Sequence, residues 1–179
     1  MNSHNPNNTK EWLPDVSLYS RMKILIIDDE PANVALLEDM VSSSGYARVK
    51  SITDSRLALE TCDTFGPDLI LLDLMMPHID GFAILEAVRA AAGETFLPVI
   101  VLTADANEET KLRALRAGAT DFLLKPFDQV EVLLRIANLL ETRRLYSQLD
   151  TQRAAYEDAV RERTSELREA QCQLQETDR

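Results

Sequence analysis

Short apolar runs alternate with longer amphipathic segments from residue 23 onward. Three runs, Ile24–Ile27, Leu69–Leu72 and Val99–Leu102, are apolar without alternation, which is typical of parallel strands covered by helices on both faces. The alternation predicts βαβ units and an α/β fold. The predicted strands are Lys23–Ile27, Arg48–Ile52, Asp68–Leu72, Pro98–Leu102 and Thr120–Leu124, and the second is weaker and looks like an edge.

The segments between these runs have helical periodicity. Pro31–Ser44 has proline in its first turn, places Val34, Leu37 and Val41 on one face, and stops at Gly45. Similar apolar alignments are expected in the second helix, formed by Ala58, Cys62 and Phe65, and in the third, formed by Phe82, Leu85 and Val88. Leu112 aligns with Leu115 in a more polar fourth helix.

A last helix is predicted to begin near Asp128, and no Pro or Gly interrupts it from Gln129 to Arg179. A heptad numbered from Leu139 predicts a dimeric coiled coil, in which Arg153 and Arg163 interrupt the seam. A solvated single helix is the alternative. The a and d positions are Leu139, Thr142, Tyr146, Leu149, Arg153, Tyr156, Val160, Arg163, Leu167, Ala170, Leu174 and Thr177.

Length and composition suggest one substantial core with an appendage, because the chain has 179 residues and 45% hydrophobic content. Residues 1–21 are rich in Asn, Ser and Pro and lack periodicity, which predicts a flexible leader. The α/β domain is predicted over 22–141, and the helical extension over 142–179 continues its last helix.

The charge pattern excludes several classes of protein. A net charge of −11 without a basic run argues against direct nucleic-acid binding. No apolar run approaches the roughly 20 residues that span a bilayer, and the N-terminus lacks a signal-peptide apolar region, so we expect a cytoplasmic protein without membrane contact.

Cys62 and Cys172 fit neither a metal motif nor a disulfide framework and are expected to be reduced thiols.

Reactive side chains follow the predicted strands. The carboxyl ends of parallel strands share one edge of a sheet, so these side chains are expected to converge. The set comprises Asp28, Asp29 and Glu30 after the first strand, Asp73 after the third, Thr103 after the fourth and Lys125 after the fifth.

Clustered carboxylates raise one another's pKa unless a cation neutralises them, and oxygen ligands favour Mg2+. A site with Mg2+, the Lys125 ammonium and the Thr103 hydroxyl suits a transferring phosphoryl group, for which Asp73 is the candidate nucleophile. The chain has five Gly and no phosphate-binding glycine loop. We therefore expect the phosphoryl group to arrive on another molecule.

These residues stand in recognisable motifs: Ile26-Ile27-Asp28-Asp29-Glu30, Leu72-Asp73-Leu74-Met75-Met76-Pro77 with Asp80-Gly81, Thr103-Ala104, and Lys125-Pro126-Phe127. Over about Met22 to Glu141 the chain resembles the response-regulator receiver domain of two-component systems. The resemblance implies a flavodoxin-like, doubly wound, five-stranded parallel sheet in the order 2-1-3-4-5. It also implies a histidine kinase or histidine phosphotransfer protein as the phosphoryl donor.

The same resemblance assigns roles in the site. Asp73 is the expected phosphoacceptor, and it shares Mg2+ with Asp28, Asp29 and the main-chain carbonyl of Met75. Thr103 and Lys125 are expected to bind phosphoryl oxygens.

Two further features follow from the resemblance. The Lys125–Pro126 bond is expected to be cis. Thr103 and Phe122 are expected to form the switch, in which Phe122 turns inward when Thr103 moves towards the phosphoryl group. Many relatives carry Tyr at this position, and a permanently packed Phe122 is the alternative.

The output is less defined by the sequence. Val160–Leu167 resembles the connecting helix ahead of HD-GYP phosphodiesterases, diguanylate cyclases or histidine kinases, yet none of their motifs occurs in the chain. Either the helix is itself the output or the chain is part of a longer protein. No separate substrate turnover is expected.

Two other classes of protein compete with the switch. One is a dimerising scaffold insensitive to phosphorylation. The other is a haloacid-dehalogenase-like phosphatase, which needs a second Asp two residues after the nucleophile, where Met75 stands.

Overall fold

Five parallel strands form one sheet in the order β2-β1-β3-β4-β5 in the computed structural model, which describes residues 16–105 and 107–177. The predicted flavodoxin-like architecture is confirmed. Most of the predicted leader, residues 1–15, lies outside the described residues. The strands are β1 Lys23–Ile27, β2 Arg48–Ile52, β3 Leu69–Asp73, β4 Val99–Thr103 and β5 Asp121–Leu124.

Helices connect the strands and cover both faces of the sheet. Short 3-10 helices occupy Val16–Leu18 and Ser55–Leu57. The α-helices are α1 Pro31–Ser43, α2 Ala58–Phe65, α3 Gly81–Ala92, α4 Glu108–Arg116 and α5 Gln129–Thr177.

Strands β3 and β4 each end one residue later than predicted. Asp73 pairs in register with Leu102, and Thr103 pairs with Leu124. Backbone pairing does not depend on side-chain polarity, so the ladder continues through both polar residues. The two reactive side chains are therefore held by the sheet itself rather than by a loop.

The core consists of two apolar clusters, one on each face of the sheet. Leu37 and Val41 of α1 pack with Ile136 of α5 in the first cluster. Leu85 of α3 and Ala114 of α4 belong to the second cluster, and Phe65 of α2 packs against it. The predicted faces of the first three helices are thus confirmed.

The two aligned leucines of the more polar helix α4 do not form a buried face. Leu112 and Leu115 are 47% and 46% exposed, and Ala114 is the buried residue of this helix. The helix is held partly by cation–aromatic contacts instead, because the Arg113 guanidinium lies 3.8 Å from the centroid of the Phe82 ring. These contacts involve charged side chains, which the hydrophobic periodicity of a sequence does not include.

The chain divides into two units, Met1–Arg143 and Arg144–Arg179. Within the second unit, described apolar side chains are exposed and i,i+4 pairs such as Arg153–Glu157 support the helix. The exposed apolar residues are Leu145, Tyr146, Leu149, Tyr156, Val160 and Leu167. None of the helices described here has the length and apolarity needed to cross a membrane.

Gly81 begins α3 where the chain passes close to the end of β3. A Cβ atom there would lie 2.2 Å from the Asp73 carbonyl oxygen and 2.6 Å from Leu74 Cα. Asp80 caps the helix by accepting a hydrogen bond of 2.9 Å from the Phe82 N–H. Only glycine therefore allows α3 to start against the strand that carries Asp73.

We predict that Gly81→Ala lowers the free energy of unfolding by about 3 kcal/mol, because the clash involves backbone atoms. Urea unfolding measures the change. Gly66→Ala is the control, since the nearest atom to its Cβ position, Lys23 Nζ, is 3.8 Å away. Its φ of +61° and ψ of 66° lie in the left-handed helical region, which should cost about 1 kcal/mol. Equal losses in the two variants would contradict the close-approach argument.

Candidate metal and phosphoryl-acceptor site

The strand order brings the predicted site residues to one edge of the sheet. Asp28 follows β1, Asp73 ends β3 and Thr103 ends β4, and these three strands are neighbours. All three side chains are buried. Asp29 is half-buried beside Asp28. Lys125 follows β5 and reaches across β4 to the acids.

The Lys125 ammonium bridges two carboxylates. Its Nζ atom lies 2.8 Å from Asp28 Oδ2 and 2.8 Å from Asp73 Oδ2. Burial lowers the pKa of Lys125, but hydrogen bonds to Asp28 and Asp73 outweigh burial and raise the pKa overall. The side chain is therefore a cation fixed between the acids of β1 and β3.

The fully buried Asp28 carboxylate has further donors. Its Oδ1 atom accepts a hydrogen bond of 2.9 Å from the Glu30 N–H. The Asn33 side-chain amide donates to Oδ1 and Oδ2 over 3.3 and 3.2 Å. Asn33 is not among the residues predicted for the site, although it stands in the first turn of α1, close to the end of β1.

Asp73 has a weaker set of partners. Its Oδ1 atom accepts a hydrogen bond of 3.1 Å from the Met75 N–H. Burial raises the pKa of the Asp73 carboxyl, and the bonds from Lys125 and Met75 only partly oppose that effect. The buried Asp73 carboxylate therefore has few hydrogen-bond donors, and a cation bound beside it would stabilise its charge.

The donor set fits a hard divalent cation. Carboxylate oxygens of Asp28, Asp29 and Asp73 lie within 4.8 Å of one another. Such an all-oxygen group suits Mg2+, which accepts one or two carboxylates and retains water. The Met75 side chain points to solvent, while its main chain stays beside Asp73 through the hydrogen bond described above.

Thr103 is held by the loop that follows it. Its hydroxyl oxygen accepts a hydrogen bond of 3.0 Å from the Asp105 N–H. The Asp105 carboxylate accepts bonds of 2.8 Å from the Asn107 N–H and 2.8 Å from the Thr110 hydroxyl, and these bonds lower its pKa. Connected hydrogen bonds therefore run from the Thr103 hydroxyl through Asp105 to the start of α4.

Phe122 lies half-buried on β5, packed against the second core cluster. The Lys111 ammonium is 4.7 Å and the Arg135 guanidinium 6.0 Å from the centroid of its ring. Arg135 is itself fixed by a 2.6 Å contact with Asp121. The ring is thus positioned by cations from α4 and α5.

The β5 end of the site is set by the backbone. The Lys125–Pro126 peptide bond is cis. The Lys125 N–H donates a hydrogen bond of 2.8 Å to the Thr103 carbonyl oxygen. This bond joins the ends of β4 and β5 next to the residues predicted to bind the phosphoryl oxygens.

Sequence comparison places these features among known proteins. The family model described as response regulator receiver domain matches residues 24–137. The DNA-binding dual master transcriptional regulator RpaA of Synechocystis is 39% identical over 121 residues, which are 66% of this chain and 48% of that protein. The response regulator PleD of Caulobacter vibrioides is 34% identical over 133 residues, which are 74% of this chain and 29% of that protein. The matches thus span about half or less of these curated relatives.

Structure comparison agrees. The chemotaxis protein CheY4 of Vibrio cholerae matches with a TM-score of 0.62 and 30% identity, covering 66% of this chain and 98% of that chain. A putative response regulator from Chloroflexus aurantiacus matches with a TM-score of 0.63 and 32% identity, covering 67% and 98%.

We predict that Lys125→Met, measured by urea unfolding in EDTA, lowers the free energy of unfolding by about 2–4 kcal/mol, because two buried carboxylates lose their shared cation. The second change Asp73→Asn should restore part of this loss by removing one charge. Arg56→Met, which breaks the exposed pair with Asp54, is the control and should change stability far less. Equal effects of Lys125→Met and Arg56→Met would contradict the bridging role.

Proposed function

The chain belongs to the response regulator receiver domain family, and from that premise we propose that it is a signalling switch in which Asp73 accepts a phosphoryl group. The observation that carries the proposal is the Lys125 ammonium, 2.8 Å from both Asp28 and Asp73. It fixes a positive charge where the oxygens of a phosphoryl group on Asp73 would lie. A structural ion pair alone does not account for the third acid, Asp29, whose carboxylate has oxygens close to the other two.

We propose Mg2+ as the cofactor, held by Asp28, Asp29, Asp73 and the main-chain carbonyl of Met75. When bound, the ion neutralises charge on the transferring phosphoryl oxygens. Lys125 and Asn33 orient the Asp28 carboxylate through the contacts described above. The Met75 N–H holds one Asp73 oxygen, which limits the rotation of the nucleophile.

The proposed donor is a phosphohistidine on a histidine kinase or a histidine phosphotransfer protein. An Asp73 carboxylate oxygen forms the new bond to phosphorus while the phosphorus–nitrogen bond breaks. The electron pair of that bond remains on the imidazole, which then takes a proton from water. Lys125 and Thr103 bind oxygens of the transferred group, so the chain acts as a substrate of its donor without turnover of a separate substrate.

The proposed switch starts at Thr103. Binding a phosphoryl oxygen redirects the Thr103 hydroxyl and weakens its hydrogen bond with the Asp105 N–H. The loop before α4 then moves, and Phe122 leaves Lys111 and turns inward. A coupling free energy of about 1–3 kcal/mol suffices for such a two-state change.

We propose that the helix beyond Arg143 carries the output as a parallel or antiparallel homodimer. Six apolar side chains of this unit are between 45% and 72% exposed. Water contact at these positions is unfavourable, and a second copy of the helix would remove it. The net charge of −11 favours a protein over DNA as the target of the output. The proposed location of this target is the cytoplasm.

We predict that wild-type protein incubated with acetyl phosphate and Mg2+ gains the mass of one phosphoryl group. Asp73→Asn should abolish the gain because it removes the nucleophile. Intact-protein mass spectrometry measures both. Asp63→Asn is the control, since it changes an exposed acid of α2 outside the cluster and should leave the gain in place. A gain that survives Asp73→Asn would refute the assignment of the phosphoacceptor.

For the helix, multi-angle light scattering should give a dimer mass at tens of micromolar or above. Leu167→Glu should shift the protein towards the monomer because it buries a charge in the proposed seam. Ser165→Glu is the matched control, because it adds the same charge at an f position. A monomeric wild type, phosphorylated or not, would contradict the dimer.

A further inference from the structure

The loop between β3 and α3 contains a strained turn. His78 has a φ of +71°, a left-handed value that side chains other than glycine rarely adopt. The Ile79 N–H donates a hydrogen bond of 3.0 Å to the Pro77 carbonyl oxygen, two residues earlier. A bond of this kind around a positive φ defines the strained form of the γ-turn. Such a conformation persists only where its surroundings hold it.

The hydroxyl of Ser55 contacts both ends of this turn. Ser55 Oγ donates a hydrogen bond of 2.7 Å to the Pro77 carbonyl oxygen and accepts one of 3.1 Å from the Ile79 N–H. The residue is 2% exposed, so water does not compete for these bonds. A side chain from the β2–α2 connection therefore fastens the middle of the β3–α3 loop.

Ser55 is itself held in place. It is the first residue of the 3-10 helix Ser55–Leu57, and the Asp54 side chain caps this helix by accepting a hydrogen bond of 3.0 Å from the Arg56 N–H. At the other end of the loop, Gly81 donates a bond of 3.1 Å to the Leu74 carbonyl oxygen. The segment from Leu74 to Gly81 is thus fixed at its base and at its tip.

This loop starts directly after Asp73 and includes Met75, whose N–H bonds to Asp73 Oδ1. We propose that Ser55 is a positioning residue for the cation site: by holding the γ-turn, it keeps Met75 and Asp73 in the arrangement that binds Mg2+. Ser55 touches neither the cation nor the phosphoryl group. The inference rests on the proposed function, because it needs the Met75 carbonyl to be a ligand.

A positioning role of Ser55 can be distinguished from a general loss of stability, because only the positioning role depends on the Mg2+ concentration. Loss of the Ser55 hydroxyl should weaken Mg2+ binding about three- to tenfold. This effect lies at or below the lower end of the range found for residues that orient metal ligands without contacting the metal. The rate of phosphorylation by acetyl phosphate should fall at low Mg2+ and recover at saturating Mg2+. A purely structural defect would lower the rate equally at both concentrations.

Calorimetric Mg2+ titration and the phosphorylation rate at several Mg2+ concentrations should be measured for wild type and Ser55→Ala. Ser55→Cys is a second test that leaves no cavity, because the thiol is nearly isosteric with the hydroxyl but is a weak hydrogen-bond donor. It should change the Mg2+ affinity and the phosphorylation rate in the same direction as Ser55→Ala. Ser44→Ala is the matched control, since it removes a 2.8 Å hydroxyl bond to the Met40 carbonyl at the opposite end of the sheet. It should leave Mg2+ affinity unchanged.

The outcomes distinguish the two proposals. Wild-type protein that neither binds Mg2+ nor gains a phosphoryl group would overturn the proposed function and this inference together. Wild type that does both, with unchanged Mg2+ affinity in Ser55→Ala and Ser55→Cys, would overturn only the role of Ser55. Weaker Mg2+ binding in these variants but not in Ser44→Ala would support it.

Discussion

The Lys125 ammonium between the Asp28 and Asp73 carboxylates is the interaction on which the site depends. Two acids at the ends of neighbouring strands repel each other in a region that excludes water, and burial raises the pKa of Asp73. Lys125 offsets this repulsion but is shared by the two acids, so charge at the site is incompletely neutralised. This incomplete neutralisation is the physical basis of the proposal that the site binds a cation and then a phosphoryl group.

Much of this arrangement could be predicted from the sequence, because it follows from short apolar runs and from the polar residues that come directly after them. Continuous apolar runs such as Ile24–Ile27 mark strands covered on both faces, and the rule that carboxyl ends of parallel strands meet explains why Asp28, Asp73 and Thr103 come together. The ends of β3 and β4 were misplaced by one residue, because a change from apolar to polar side chains need not coincide with the last backbone pair.

The remaining features depend on contacts between distant residues. Asn33 and Ser55 are ordinary polar residues in the sequence, and their importance lies in the atoms they meet after folding: the Asp28 carboxylate in one case, the Pro77–Ile79 turn in the other. The exposure of Leu112 and Leu115 does not follow from the sequence pattern, for a related reason. Periodicity locates an apolar face but does not reveal whether another element covers it.

The exposed leucines of α4 also bear on how a signal would travel. Helix α3 buries five residues against the sheet, whereas the buried residue of α4 is Ala114. Cation–aromatic contacts from Arg113 to Phe82 and from Lys111 to Phe122 supply part of the remaining attachment. Such contacts are worth about 0.5–2 kcal/mol, far less than the burial of several apolar side chains. The proposed switch begins at Thr103, whose hydroxyl accepts a hydrogen bond from the Asp105 N–H ahead of α4. Helix α4 buries fewer residues than α3, so we expect displacement of α4 to cost less free energy than displacement of α3.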